Sequence, residues 1–180
     1  MKFTEILTPD NIRQGIVCSS KKRLLEIIAD LAVQQIHQDV DLNSLQAVNE
    51  LQCFENLCSR EKLGCTALSN GVAMPRAKLP IESDKVFAVF LQLGTPLNYD
   101  SPDKREVDLV FAVFIPENIC PTYAQTLQQL SARFADKNFC KQLRAAQSEQ
   151  EIWQLFEYAD NYLANESDNE PDSQSKQPLT

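Results

Sequence analysis

A chain of 180 residues, 43% hydrophobic and 23% charged, is long enough to bury one globular core and too short for two ordinary domains. A formal net charge of -8 and a pI near 4.7 exclude a nucleic-acid groove, which needs clustered Lys and Arg to release counterions, and direct expectation toward protein partners with basic patches. Cys18, Cys53, Cys58, Cys65, Cys120 and Cys140 form no C-x-x-C pair and His37 is the only histidine, so free, mostly buried thiols are expected, with no metal and no cofactor.

The segment from Met1 to Asp10 lacks the apolar core of a signal peptide, and no stretch approaches the roughly eighteen apolar residues of a membrane helix. A cytoplasmic protein without membrane insertion is therefore expected. From Ser20 to Ile36, Leu24, Leu25, Ile27, Ile28, Leu31 and Ile36 recur at helical steps, with Ser19 or Ser20 as N-cap. The run Lys21-Lys22-Arg23 reads as the solvated first turn of that helix, and His37 as a half-exposed residue at its end. A second periodic stretch, Leu42 to Leu57, predicts a helix leading into Arg60.

Val86 to Leu93 and Val107 to Ile115 are near-continuous β-branched and aromatic runs, as in strands covered on both faces. Gly94 to Asp103 between them is rich in turn formers and too loose for a tight hairpin, and Pro116 stops the second run. Helices are expected over Thr122–Ala135, over Lys137–Ala146, and after Ser148-Glu149-Gln150-Glu151, a capping-box sequence followed by a buried stripe of Ile152, Leu155, Phe156 and Ala159. The organisation expected is one domain over residues 1–163 and a disordered acidic, polar tail over 164–180, which has too little apolar surface to offset the entropy of ordering.

The segment Arg60-Glu61-Lys62-Leu63-Gly64-Cys65-Thr66, followed after four residues by Gly71-Val72-Ala73-Met74-Pro75-Arg76, resembles the active-site segment of type 2 phosphotransferase-system IIA domains, the fructose, mannitol and nitrogen-regulatory IIA family. That segment reads roughly R-E-x-x-G-[ST]-T, four residues, then G-[IV]-A-[ILM]-P-H. The resemblance extends to Ser20 to Ile28, to Phe114-Ile115-Pro116 and to Ala132 to Lys137, and covers most of residues 1–160. In Cys18-x-Ser20-Lys21-Lys22-Arg23, Arg60-Glu61-Lys62 and Leu143 to Ser148 it is most similar to the nitrogen-regulatory branch. It implies a three-layer α/β/α sandwich whose mixed sheet of about five strands has helices on both sides.

By the same resemblance Arg76 stands where the family has its phosphorylated His, and Gln125 at about the position of a second, supporting His. A guanidinium stays protonated and has donors only, whereas accepting a phosphoryl group needs a nitrogen lone pair. No catalytic residue is therefore expected, and Arg60, Thr66, Gly71, Pro75 and Arg76 are the expected phosphate- or partner-binding residues. Arg76 either holds an anion or an acidic partner group, or points into solvent. Gly71 either supplies unusual backbone geometry beside a shallow apolar recognition surface or is an ordinary turn glycine.

The function implied is that of a nitrogen-regulatory IIA-like protein locked in its unphosphorylated form, a pseudoenzyme in signal transduction. Its implied partners are the phosphocarrier protein and regulatory targets such as potassium-transport proteins or sensor kinases. The alternative is an active phosphoryl carrier of the phosphoenolpyruvate-dependent system that uses Cys65 as nucleophile. A third possibility is a remnant without a role, whose fold nonetheless keeps intact strands, the Arg60 to Pro75 frame and the capping box.

Overall fold

The computed structural model describes residues 2–39 and 48–168. Two 3-10 turns, Phe3–Glu5 and Pro9–Asn11, lead into β1 (Ile12–Ile16), α1 (Lys21–Asp39) and α2 (Glu50–Leu63). The short strands β2 (Val72–Ala73) and β3 (Arg76–Leu79) precede the long β4 (Phe87–Leu97) and β5 (Val107–Pro116). A 3-10 turn, Cys120–Thr122, opens the C-terminal helices α3 (Ala124–Arg133), α4 (Lys137–Ala145) and α5 (Glu149–Asp168).

The sheet order is β1-β4-β5-β2, with β3 also paired to β5. β4 and β5 are antiparallel, β1 is parallel to β4, and β2 and β3 are parallel to β5. The two long apolar runs thus occupy the centre of a five-stranded mixed sheet, as their composition predicts. Alternation splits their side chains between two cores. Phe87, Val89 and Leu91 pack with α1 and α2, whereas Ala88, Phe90, Phe111 and Val113 pack with the N-terminal turn and α3 to α5. In the second core Phe3 and Phe156 meet edge-on with ring centroids 4.9 Å apart. The architecture is the expected α/β/α sandwich.

Several boundaries differ from expectation for local reasons. The second helix starts at Glu50, because the Asn49 side chain accepts from Gln52 N at 2.8 Å and caps it. Leu42 and Leu45 lie outside the described residues. At its other end α2 continues to Leu63, so Arg60 and Glu61 belong to its last turn and their directions are set by a helix.

Gly94, Thr95 and Pro96 belong to β4, whose pairing with β5 shifts register between Gln92 and Leu97, an irregularity that accommodates a proline. The strands β1, β2 and β3 are too short for periodicity to single out. Ser20 Oγ caps α1 by accepting from Arg23 N at 3.1 Å, and Ser148 Oγ accepts from Glu151 N at 3.1 Å. In α5 Ile152 and Phe156 are fully buried, while Leu155 and Ala159 are partly so. That helix runs to Asp168, with no Gly or Pro between Glu149 and Pro171 to interrupt it; residues 169–180 of the expected tail lie outside the described residues.

The six cysteines are free; Cys53 and Cys140 are buried and the other four half-buried. His37 lies on α1 with Nε2 2.9 Å from the Val48 carbonyl. No helix among the described residues is long and apolar enough to cross a membrane.

Candidate functional site

The motif segment is held from below by a polar network. Glu61, whose side chain is 8% exposed, pairs with Lys21 Nζ at 2.8 Å. Its Oε1 accepts from Tyr99 Oη at 3.0 Å and from Thr66 Oγ1, and the Thr66 and Tyr99 hydroxyls are 2.9 Å apart. Lys21 Nζ also lies 4.1 Å from the centroid of the Tyr99 ring. Burial, with Glu61 beside it, pushes the Tyr99 phenol well above its ordinary value. Tyr99 thus remains a donor to Glu61, and a buried carboxylate gains the partners that its desolvation requires. Lys21 is therefore a structural partner of the motif and not merely part of a solvated turn; Lys22 and Arg23 are exposed.

From Thr66 the chain returns to the sheet. Met74 N donates to Thr66 O at 3.0 Å, and Ala67 bridges Ala73 in antiparallel fashion. Between them Asn70 (φ 62) and Gly71 (φ 73) carry the two positive φ angles of a type I′ turn. A Cβ at Gly71 would stand 2.9 Å from Arg144 Nη2 and 3.1 Å from Asp108 Oδ1. Gly71 is thus a turn glycine with a positive φ, at a position that also demands a close approach, and it lies outside the lining of the cleft that holds Arg76. It adjoins the Asp108–Arg144 ion pair, 2.7 Å long, just ahead of β2, whereas Arg76 opens β3.

At the Arg76 end a cleft of about 440 Å³ opens between α2, β3 and α3, where the layers from both faces of the sheet meet at its edge. Arg60 and Arg76 line it together, with Lys78 and Glu117. Its apolar lining includes Leu63, Ile115 and Leu127, and Leu63 is 85% exposed. Arg60 Nη1 donates to Gly64 O at 2.9 Å, closing the C-terminus of its own helix. Arg76 is half-buried, and its Nε is enclosed without a hydrogen-bond partner among the described residues. Burial lowers the pKa of Arg76 and Arg60 lowers it further, against Glu61 and Cys120, which raise it.

Among the other expected residues, Thr66 and Pro75 are buried behind the cleft; Thr66 anchors Glu61, and the Pro75 carbonyl accepts from Val113 N at 2.9 Å. Gln125 is exposed on the first turn of α3 and does not line the cleft, whereas Ala124 and Cys120 do. Cys65 is half-buried with its Sγ 3.7 Å from the Tyr99 carbonyl, and it too is absent from the lining. Sequence reasoning missed Cys120, whose only signal was its place just ahead of the Thr122 to Leu127 stretch. It also missed Tyr99, which has no motif of its own. Chemically, the cleft offers charge-assisted donors and an apolar rim, and no imidazole.

Comparison with known proteins agrees with this architecture. The family pattern described as "Phosphoenolpyruvate-dependent sugar phosphotransferase system, EIIA 2" matches residues 5–159. A nitrogen regulatory protein homolog of Haemophilus influenzae is 52% identical over 161 residues, covering 89% of this chain and 93% of that protein. The crystal structure of the nitrogen regulatory protein IIA-Ntr of Neisseria meningitidis superposes with a TM-score of 0.73 at 28% identity, covering 84% of this chain and 97% of that one. The mannitol IIA enzyme of Escherichia coli, solved in complex with its phosphorylated IIB enzyme, superposes at a TM-score of 0.66 and 18% identity over 85% of this chain and 99% of that one, a likeness of fold alone. The match across nearly the whole motif-bearing region, together with the shared sandwich, establishes that the chain belongs to the type 2 EIIA family of the phosphoenolpyruvate-dependent phosphotransferase system, among its nitrogen-regulatory members.

Proposed function

We propose that this protein is a cytoplasmic regulatory binding module of the nitrogen-regulatory IIA type that cannot accept a phosphoryl group at the usual site and therefore acts permanently in its unphosphorylated form. The observation that carries the reading is Arg76, a guanidinium at the motif position where the family resemblance expects the acceptor imidazole. Its added positive charge is opposite in sign to that of a phosphohistidine, so it does not imitate the modified state. The cleft with its apolar rim serves as the docking face for the phosphocarrier, since shape and apolar contact do not require the imidazole. Potassium-transport proteins and sensor kinases are the regulatory targets in view.

Intact-protein mass after incubation with phosphoenolpyruvate, enzyme I and the nitrogen-type phosphocarrier tests this, beside Arg76→His, Cys65→Ala and Cys120→Ala variants. An unchanged mass for the native chain is expected. A phosphate adduct lost in Cys65→Ala would establish the alternative, an active carrier, although Cys65 stands back from the cleft. An adduct lost in Cys120→Ala would also overturn the regulatory reading and place the nucleophile in the cleft lining.

A further inference from the structure

We propose that the groove along α1 and α2 is a self-association face, on which a second copy of this chain docks about a two-fold axis. The groove has a volume of about 530 Å³ and shares no lining residue with the cleft at Arg76. α2 runs back along α1: Glu50 stands beside Asp30, and Cys58, about two turns further on, is close enough to feel the charges of Lys22 and Glu26. The lining is apolar at Ile27, Leu31 and Phe54, which are partly buried, and at Leu51, which is 65% exposed.

The charges at the two ends of this groove are unfavourable within a single chain. At one end Lys22 and Arg23, both exposed, stand in the first turn of α1, which carries no acidic residue although the helix dipole favours acids there. Arg23 meets Glu26 at 3.1 Å in an exposed pair, a contact of little worth. At the other end, about 12 Å along α1, the Asp30 and Glu50 carboxyls stand within hydrogen-bonding reach of each other. That contact and the Asp30 charge hold the Glu50 carboxyl above its ordinary value, against a smaller opposing effect of His37. No ion pair engages Lys22, Asp30 or Glu50 among the described residues.

A two-fold axis through the middle of the groove lays the basic end of each copy on the acidic end of the other, so that both unfavourable charge pairs are neutralised twice in one interface. The occupant must present cations and carboxylates at the same spacing in reverse order, across an apolar strip, and a second copy supplies that whole pattern. A partner of one charge sign would satisfy one end and be repelled at the other.

Sedimentation velocity of the full chain between about 1 and 200 µM tests the face, with a reversible monomer–dimer equilibrium of dissociation constant about 20 µM expected. A monomer at every concentration overturns the proposal. Two charge variants then locate the interface, one carrying Lys22→Glu with Arg23→Glu, the other Asp30→Lys with Glu50→Lys. Each alone is expected to self-associate at least about tenfold more weakly, and their equimolar mixture to regain a dimer of one copy of each.

Thermal unfolding checks that the variants remain folded, and Leu51→Ser, at an exposed position, tests the apolar strip without altering charge; it too is expected to weaken the dimer. Self-association of native strength in these variants overturns the face, as does a mixture of the two charge variants that stays monomeric. Because the groove and the Arg76 cleft share no residue, a failure here leaves the outcome of the phosphotransfer test unchanged.

Discussion

At the level of single residues, Glu61 joins α1, α2 and the end of β4 through one carboxylate, accepting from Lys21, Thr66 and Tyr99. Replacing it by Ala leaves Lys21 and two buried hydroxyls without their acceptor, and a loss of about 3 kcal/mol is expected in urea denaturation at pH 7. Glu61→Gln and Lys21→Met in a double-mutant cycle should show a coupling of about 1 kcal/mol or more, because the pair is mostly enclosed. Gly71→Ala is expected to cost about 2 kcal/mol or more, combining a left-handed φ of 73 with a Cβ 2.9 Å from Arg144 Nη2. A lowered urea midpoint at unchanged slope would check it. Arg60, Thr66 and Arg76 were legible in the sequence because they sit in one contiguous motif. Tyr99 and Lys21 were not, since they join it across 38 and 40 positions of chain, a proximity that only folding creates.

Among the elements, α2 matters most for the cleft because its last turn carries Arg60 and Glu61. Asn49→Ala removes its N-cap and should cost about 1 kcal/mol in denaturation, while Asn49→Asp should retain most of that stability. The same helix buries Cys53, 1% exposed, and burial pushes its thiol up from an ordinary 9.0 to about 11. The fold favours the neutral thiol, so its stabilising contribution is complete below pH 9.0 and is lost as pH rises through about 11. Stability is expected to fall by roughly 2 kcal/mol across that window, and Cys53→Ala should flatten that part of the profile in urea denaturation at stepped pH. Periodicity located the inner turns of this helix and the long strands β4 and β5. Helix ends depended on caps such as Asn49, and the strands of two to five residues depended on pairing with β5 or β4, which no local pattern encodes.

For the molecule as a whole, Asp160 of α5 ties the N-terminal turn to the C-terminal helices. Only 3% exposed, it accepts from Phe3 N at 2.8 Å, Thr4 N at 3.0 Å and Thr4 Oγ1 at 2.8 Å, and pairs with Arg133 Nη1 at 3.3 Å. Asp160→Ala should destabilise by about 3 kcal/mol and accelerate amide exchange at Phe3 and Thr4 ahead of the central strands; unchanged exchange there would contradict the clasp. No sequence pattern marked Asp160, which lies among helix residues of ordinary polarity. By itself the sequence determined the layers, through the composition of two doubly covered strands and the period of the helices, and it placed at position 76 a guanidinium, a residue type with donors only. The tertiary structure alone decided which residues share the cleft: it brought Arg60, Arg76 and Cys120 to one sheet edge and set Gly71, Cys65 and Gln125 elsewhere. The physical reason is that hydrophobic pattern and side-chain chemistry are local properties of a chain, whereas convergence at a site depends on strand register and helix placement, which are settled by packing across the whole core.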